Sequence, residues 1–464
     1  MSDALEQFSP ATRAWFSGAF SAPTAAQSQA WAAIARGEHT LVVAPTGSGK
    51  TLAAFLWALD RLQREDATPH EEREPGVRVL YVSPLKALAV DVDRNLRAPL
   101  AGIAARGRAD GAEPPQIRIG LRTGDTPQEE RRAQAKHPPD ILITTPESLF
   151  LLLTSRARET LRTVETVIVD EVHAVVPTKR GSHLALSLER LDAQLQRPAQ
   201  RIGLSATVKP AEEVAAFLGG PAPVTVVAPP SEKRIELTIT VPVDDMTDLR
   251  GPQREEAAPT GSAFGATKPD QPSIWPHIER EVLELVDRHR STIVFVNARR
   301  AAERLTARLN ELDAERLDEA EAAPSPADAA AGRAGSGVVL RDVSEHIRLR
   351  LAERAAARDA AGPDAEAPPL ARAHHGSVSK EQRGEIEDQL KSGRLRCVVA
   401  TSSLELGIDM GEVDLVVQVE APPSTASGLQ RVGRAGHNVG DASRGVIIPK
   451  HRADLLHATV VADR

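Results

Sequence analysis

Leu41-Val42-Val43-Ala44-Pro45-Thr46-Gly47-Ser48-Gly49-Lys50-Thr51-Leu52-Ala53-Ala54-Phe55-Leu56 is the stretch that decides the fold class. Leu41-Val42-Val43 predicts a short strand, Gly47-Ser48-Gly49 a turn, and Thr51 onward an amphipathic helix. The backbone N–H groups of such a turn can wrap an anion while the helix behind it aims the positive end of its dipole at the same point. In a phosphate loop of this kind Thr46, Gly47, Ser48 and Gly49 form the cradle. Lys50 reaches the β- and γ-phosphates of ATP, and Thr51 ligates Mg²⁺. Ala44 stands where the pattern usually begins with glycine. A glycine-rich turn with a chance lysine would share this composition; the strand before it and the helix after it favour a nucleotide.

Outward from the loop, short apolar runs alternate with amphipathic helical patterns: residues 41–43, 78–82, 140–143, 167–169 and 201–204. Continuous apolar strands between helices predict a parallel sheet covered on both faces, with ligands at the carboxyl ends of the strands. Pro45-Thr46-Gly47, Ser83-Pro84, Thr145-Pro146-Glu147, Asp170-Glu171 and Ser205-Ala206-Thr207 all follow such runs. A second series at 292–296, 396–400, 413–417 and 445–448 predicts another unit of the same α/β kind. Between them the chain is rich in Pro, Gly, Glu and Thr, which predicts a linker or loop at 241–272 separating domains at 1–240 and 273–464. Residues 314–369, dominated by Ala, Glu, Asp, Arg and Pro, read as an insertion, partly disordered and partly a charged helix around 343–357. Two such units in tandem suit a cleft between domains.

Asp170-Glu171 closes an apolar strand, where acidic groups can face the phosphate loop. Asp170 would hold Mg²⁺ through water, and Glu171 would orient and deprotonate the attacking water, because phosphoryl transfer is largely a matter of positioning and electrostatics. Alone, an Asp-Glu pair after a strand is more often a solvated turn; the upstream loop changes its meaning. The third part is Gln430-Arg431-Val432-Gly433-Arg434-Ala435-Gly436-His437, on a predicted helix of the second unit. An arginine supplied by a partner domain can neutralise charge on the transferring phosphoryl group, an effect worth about 10³–10⁵ in rate. A plain basic helix face is the competing reading, which two glycine-spaced arginines beside a glutamine fit poorly.

Composition narrows the partners. At 464 residues the chain exceeds one ordinary core, and 41% hydrophobic residues suffice to build two. Aromatics at 3% argue against a surface that works mainly by stacking bases, and a net charge of -7 argues against a nonspecific nucleic-acid clamp, so any such contact is local. The single cysteine, Cys397, excludes an intramolecular disulfide and a thiolate zinc cluster. The amino terminus lacks a signal pattern and no apolar run reaches the roughly 20 residues of a membrane span, so a soluble, cytoplasmic, monomeric protein without a membrane partner is expected.

Taken in order, these motifs resemble the superfamily 2 DEAD/DEAH-type helicases. The DEVH run Asp170–His173, the run Ser402-Ser403-Leu404-Glu405-Leu406-Gly407-Ile408-Asp409-Met410-Gly411 and the arginine helix make the chain similar to the motor portion of the large helicase-related (Lhr) family. The resemblance implies two tandem RecA-like domains of the P-loop NTPase class. It implies that Gln27, in Pro23-Thr24-Ala25-Ala26-Gln27, reads the adenine, that Gly407 and Asp409 meet the nucleotide, and that His173, Ser205 and Thr207 couple hydrolysis to unwinding. It implies nucleic-acid contacts at Ser83, Lys86, Arg122, Gly124, Thr145 and Pro146 in the first domain and at Asn297, Arg299, His375, Gly376, Thr401 and Ser402 in the second. Hydroxyls, glycines and strand-end amides can hold successive phosphates without reading bases. Helix capping is the plainer explanation of Thr145-Pro146-Glu147, and both can hold.

The family implies 3′-to-5′ movement on single-stranded DNA, with repair as the setting; an RNA helicase, or an ATP-switched clamp that grips without unwinding DNA, RNA or their hybrids, stays open. Many relatives place a third arginine where His437 stands; neutral imidazole cannot replace it, which assigns the finger to Arg434 with Arg431 and Gln430 beside it. Relatives also continue past the motor domains, so the end at Arg464 suggests a truncated chain in which hydrolysis survives and unwinding is the doubtful step.

Overall fold

The computed structural model describes residues 3–45, 47–64, 74–112, 114–206, 208, 210–230, 234–246, 273–322, 345–362, 367–405, 413–436 and 442–463. The chain divides into two compact units, one built on Met1–Lys233 and the other on Arg234–Glu405 and Met410–Arg464.

In the first unit, helices α1 (Pro10–Ala19) and α2 (Ala25–Ala35) precede strand β1 (His39–Val43) and helix α3 (Lys50–Arg64). There follow β2 (Val79–Val82), α4 (Lys86–Ala109), β3 (Ile119–Arg122), α5 (Gln128–Lys136), β4 (Ile141–Thr144), α6 (Pro146–Leu153) and β5 (Thr166–Val169). The short α7 (Val172–Val175), then α8 (Lys179–Asp192), β6 (Gln200–Ser205), α9 (Ala211–Gly219) and β7 (Val224–Val227) complete it. The sheet order is β3-β4-β2-β5-β6-β1-β7, and every pairing is parallel. Its side chains alternate between two cores. Val42, Tyr81, Ile143, Ile168 and Ile202 pack with Ile34, Phe55 and Leu96 of α2, α3 and α4. Leu41, Val43, Leu80, Val82 and Val169 pack with Leu149, Leu188 and Leu218 of α6, α8 and α9. Burying a strand on both faces, at about 1.5–3 kcal/mol for each large apolar side chain, is why the sequence shows unbroken apolar runs rather than alternation.

The second unit begins earlier than expected. Strand β8 (Ile235–Ile239) lies before the expected boundary at 240, yet it hydrogen-bonds to β13 (Ser443–Ile448) in the second sheet. Between them come α10 (Trp275–Arg288), β9 (Thr292–Phe295), α11 (Arg299–Ala322), α12 (Glu345–Ala361), β10 (Ala371–His374) and α13 (Lys380–Lys391). Then follow β11 (Cys397–Ala400), β12 (Leu415–Val419) and α14 (Thr425–Val432), and α15 (Arg452–Asp463) comes after β13. The order β10-β11-β9-β12-β13-β8 is again wholly parallel. Both units therefore have the RecA-like architecture the sequence implies.

The charged helix expected around 343–357 is α12, tied to α11 by the buried pair Arg350–Asp313 at 2.7 Å. Cys397 is a core residue of β11 whose thiol burial pushes up to about 12, so it is inert. Among the described residues no helix is long and apolar enough to cross a membrane.

Candidate nucleotide and nucleic-acid site

All strands of each sheet point the same way, so the motifs that follow them line the carboxyl edge of the sheet. In the first unit the phosphate loop leaves β1 and the acidic pair leaves β5, with β6 between them. Gly47 and Gly49 turn the loop with φ of 82° and 76°, values that favour glycine. Helix α3 then starts at Lys50, so its first N–H groups lack helical acceptors and face the loop. Ser48 Oγ donates to Pro45 O at 2.7 Å. The Lys50 ammonium folds back onto the carbonyl oxygens of Ala44 and Pro45 at 2.5 and 3.0 Å, an arrangement a phosphate would compete for. Thr51 sits half-buried one residue on.

Gln27 reaches this loop, as expected. Thr24 and Gln27 form a reciprocal capping box at the start of α2. Thr24 Oγ1 also donates to Ser48 O at 3.0 Å, and Gln27 Nε2 donates to Gly49 O at 3.3 Å. A Cβ at Gly49 would lie 2.4 Å from Gln27 Nε2, so the glycine is needed for this approach as well as for its φ.

Glu171 holds a left-handed backbone, φ 43° and ψ 46°, at the end of the buried strand β5. A non-glycine residue there costs about 1–3 kcal/mol and persists only where its surroundings impose it. The strain turns the glutamate sharply off the strand. Its Oε2 is buried and has no hydrogen bond among the described residues, with His173 Nδ1 3.5 Å away. His173 Nδ1 accepts from the Ala206 N–H at 3.3 Å and lies 3.1 Å from Ser205 Oγ. An accepting Nδ1 places the imidazole proton on Nε2, so His173 cannot satisfy Glu171 through that atom. His173 and Ser205, both expected to couple hydrolysis to unwinding, are thus in direct contact.

Asp170 takes the Glu171 N–H on Oδ1 at 2.9 Å and the Tyr81 hydroxyl on Oδ2. Burial, and then the Glu171 charge, push its carboxyl up to about 6. A divalent cation would relieve both causes at once. A buried ammonium resting on the carbonyls of its own loop, a Glu171 Oε2 without a hydrogen bond among the described residues and a crowded acidic pair fit a nucleoside triphosphate with Mg²⁺.

The expected strand contacts of the first unit differ in how much they expose. Ser83 is wholly buried: its Oγ donates to Leu85 O at 3.0 Å and its N–H to Thr144 O at 2.9 Å, so the expected strand contact there is covered. Lys86 is exposed, lies over Gly124, and pairs with Asp125 at 2.6 Å. Arg122 is half-buried and donates to Arg131 O at 3.3 Å; burial, then the charge of Arg131, lower its pKa. Thr145 caps α6 through Ser148 N at 3.4 Å with Pro146 at the first turn, so the capping role is real. Arg180 clamps this edge, donating to Glu147 at 2.6 Å and to Pro84 O at 2.9 Å.

In the second unit Arg299 donates to Ser377 Oγ at 2.8 Å beside Gly376, and His375 is buried with Nε2 3.2 Å from Glu303. Thr401 and Ser402 follow β11 in a single 3-10 turn. Asn297 is exposed, but its amide is engaged within its own unit. Its Nδ2 donates to Glu420 Oε2 and Ala421 O at 3.2 and 3.0 Å, while its Oδ1 accepts from Arg431 at 3.1 Å. Arg431 also donates to Gln418 Oε1 at 2.8 Å and Glu405 Oε2 at 3.2 Å, and sits 5.2 Å over the Phe295 ring. This guanidinium holds its own unit together, and burial lowers its pKa despite Glu405. Gln430 is buried on the same helix. Arg434, buried in the turn after α14, donates to Glu405 O at 3.1 Å. Thr46, Thr207, Gly407, Asp409 and His437 lie outside the described residues.

Residues 24–215 match the family described as DEAD/DEAH box helicase, and residues 369–438 match the helicase conserved C-terminal domain. The Lhr helicase/probable uracil glycosylase of Mycolicibacterium smegmatis is 58% identical over 464 residues, which cover 100% of this chain and 28% of that protein. The chain belongs to the Lhr helicases. The ATP-dependent helicase Lhr-Core protein 2 of Thermococcus barophilus is 38% identical over 457 residues, 97% of this chain and 44% of its own length. The solved structure of the M. smegmatis helicase Lhr bound to ssDNA and AMP-PNP matches with a TM-score of 0.78 and 56% identity, over 100% of this chain and 50% of that one. What is present is the paired motor portion of an Lhr protein, spanning less than half the length of these two relatives.

Three residues of this Lhr motor escaped sequence reasoning: Tyr81, Glu405 and Glu420. Tyr81 stands inside an apolar run and reads as core. Glu405 stands inside the run from Ser402 to Gly411 with no role read for it, and Glu420 carries no pattern of its own; positive φ at Glu420 (69°) is visible only in three dimensions.

Proposed function

We propose that the chain is an ATP-hydrolysing motor that moves 3′ to 5′ along single-stranded DNA and separates DNA or RNA:DNA duplexes, with DNA repair as its setting. The observation that carries this reading is Glu171, strained off its strand with its buried Oε2 lacking a hydrogen bond among the described residues. Gln27 would contact the base, Lys50 would leave the carbonyls of its own loop for the phosphates, and Thr51 and Asp170 would hold Mg²⁺. The metal, when bound, would neutralise charge on the phosphoryl oxygens. Glu171 would orient water and take its proton. Arg434 would supply positive charge to the transferring group, with Arg431 setting the helix that precedes it. Gly407 and Asp409 would add nucleotide contacts. His173, Ser205 and Thr207 would relay the state of the site to the strand contacts at the carboxyl edges. The ssDNA and AMP-PNP of the M. smegmatis structure support both ligands.

The test measures ATP turnover with and without single-stranded DNA, and displacement from duplexes with DNA, RNA or hybrid tracking strands tailed at either end. Stimulation by DNA and displacement on 3′-tailed substrates are expected. Equal turnover in the wild type and Lys50→Ala overturns the ATP site, and displacement only on 5′-tailed substrates overturns the polarity.

A further inference from the structure

The chain has one tyrosine, and it stands on β2, an interior strand of the first sheet. Strand β2 reads Val79-Leu80-Tyr81-Val82 and every residue is buried, Tyr81 at 0% exposure. A phenylalanine would fill the same apolar space. A buried phenol needs a partner for its hydroxyl, and this one donates to Asp170 Oδ2 across the β2–β5 pairing, where Val82 lies opposite Val169. The Asp170 N–H in turn donates to Val82 O at 3.0 Å, so backbone and side chain of the aspartate are both registered on β2.

On its other side the ring stacks on Phe55 of α3, with centroids 5.0 Å apart and planes 30° from parallel. Phe55 lies on the helix that opens with Lys50 and Thr51. The phenol therefore spans from the phosphate-loop helix to the acidic strand end. Among the described residues each oxygen of Asp170 then has one donor, the Glu171 N–H on Oδ1 and the Tyr81 hydroxyl on Oδ2. Rotation of the carboxylate is blocked, and each oxygen keeps a second acceptor direction for a metal or its water.

The geometry points to Tyr81 as a positioning residue that presents Asp170 to the Mg²⁺ of a bound nucleoside triphosphate. This rests on the ATP-binding function proposed above. Partners of this kind that orient a ligating group are worth roughly 10–100-fold in metal affinity.

The experiment uses the full chain and Tyr81→Phe, which deletes one oxygen and leaves the stack on Phe55. Binding of a fluorescent, non-hydrolysable ATP analogue is titrated with Mg²⁺. The half-saturating Mg²⁺ concentration should rise at least about tenfold in Tyr81→Phe, while analogue affinity in EDTA stays within twofold of wild type. An unchanged Mg²⁺ requirement overturns the proposal, including when Tyr81→Phe merely melts earlier. If the wild type itself shows no Mg²⁺-dependent binding, the ATP-site reading has failed instead. Because the tyrosine is unique, 3-fluorotyrosine labelling gives a single ¹⁹F resonance in the otherwise unaltered chain. That signal should shift when Mg²⁺ joins the bound analogue and stay still in labelled Asp170→Asn. No shift in the wild type overturns the proposal even if Tyr81→Phe fails to fold.

Discussion

Two glutamates with left-handed backbones follow parallel strands in this molecule, Glu171 after β5 at φ 43° and Glu420 after β12 at φ 69°. The backbone device is shared: a strained turn swings a carboxylate off the end of a buried strand. Its use differs. Glu171 Oε2 is buried without a hydrogen bond among the described residues. Glu420 binds Lys450 through Oε1 and Asn297 Nδ2 through Oε2. An orphaned acceptor is costly to leave and awaits a ligand or a proton. A saturated one fixes its neighbours. Here it fixes the Asn297 amide, whose Oδ1 must then face Arg431, so a strained turn in the second unit orients the arginine helix while its counterpart in the first is left to act.

The largest test of that difference is Glu171→Gln against Glu420→Gln. Removing the proposed base should slow single-turnover hydrolysis by about 10²–10⁴-fold, with nucleotide affinity nearly unchanged. Glu420→Gln retains an acceptor for Asn297 and should lose less than tenfold. Losses of similar size would erase the division between an acting and a holding carboxylate. Next in size is Arg431→Ala, which strands the buried Glu405 and Gln418 and frees the exposed Asn297. Breaking such a pair costs about 3–5 kcal/mol, and the calorimetric transition of the second unit should fall accordingly. Arg431→Lys should recover little, since a point charge cannot serve three divergent acceptors. A transition that stays put in Arg431→Ala would return this arginine to a purely catalytic role.

The sequence made the interior of both sheets legible and left the rims dark. The four strands it did not reveal, β3, β7, β8 and β10, are the four edge strands. Central strands such as β2 and β5 are buried throughout and read as apolar runs, whereas β8 is exposed or half-exposed along its whole length. Edges are covered on fewer sides, so Ile119-Gly120-Leu121-Arg122 and Ala371-Arg372-Ala373-His374 need no such run. The site divides similarly. Loop residues with a spacing, such as Lys50 and Glu171, were readable because their chemistry is local. Asn297 was assigned to a strand contact, yet its partners lie more than 120 residues away at Glu420 and Arg431. No one-dimensional pattern carries that pairing, and the same holds for Tyr81 and Asp170.

A smaller effect separates the buried acid of the first unit from any paired acid. Asp170 is raised to about 6 from 3.8, first by burial and then by Glu171. A raised carboxyl favours the fold while protonated and loses that support as pH climbs from the unfolded value through the folded one. Asp170→Asn removes the ionisation and keeps both hydrogen bonds, because its amide can donate to the Tyr81 oxygen. Without divalent cations this variant should therefore melt a few degrees above wild type at pH 7.5. The gap should be constant above about pH 6, shrink below it, and vanish near pH 4. A gap that widens toward acid would mean the carboxylate is stabilised in the fold, contrary to the crowding described.

The smallest effect separates backbone from side chain at the two strained turns. Replacing either glutamate by glycine relieves the left-handed conformation, and replacing it by alanine does not. The glycine variant should exceed the alanine variant by about 1 kcal/mol at both positions, read from chemical unfolding of the full chain. The alanine variants themselves should differ. Glu171→Ala deletes a carboxylate with little to lose, so its stability should match or exceed wild type. Glu420→Ala releases Lys450 and Asn297, two part-exposed partners, and should cost about 1 kcal/mol more. If the two alanine variants are equally stable relative to wild type, the Glu420 bonds hold nothing. The Asn297 amide would then owe its place to Ala421 O and Arg431.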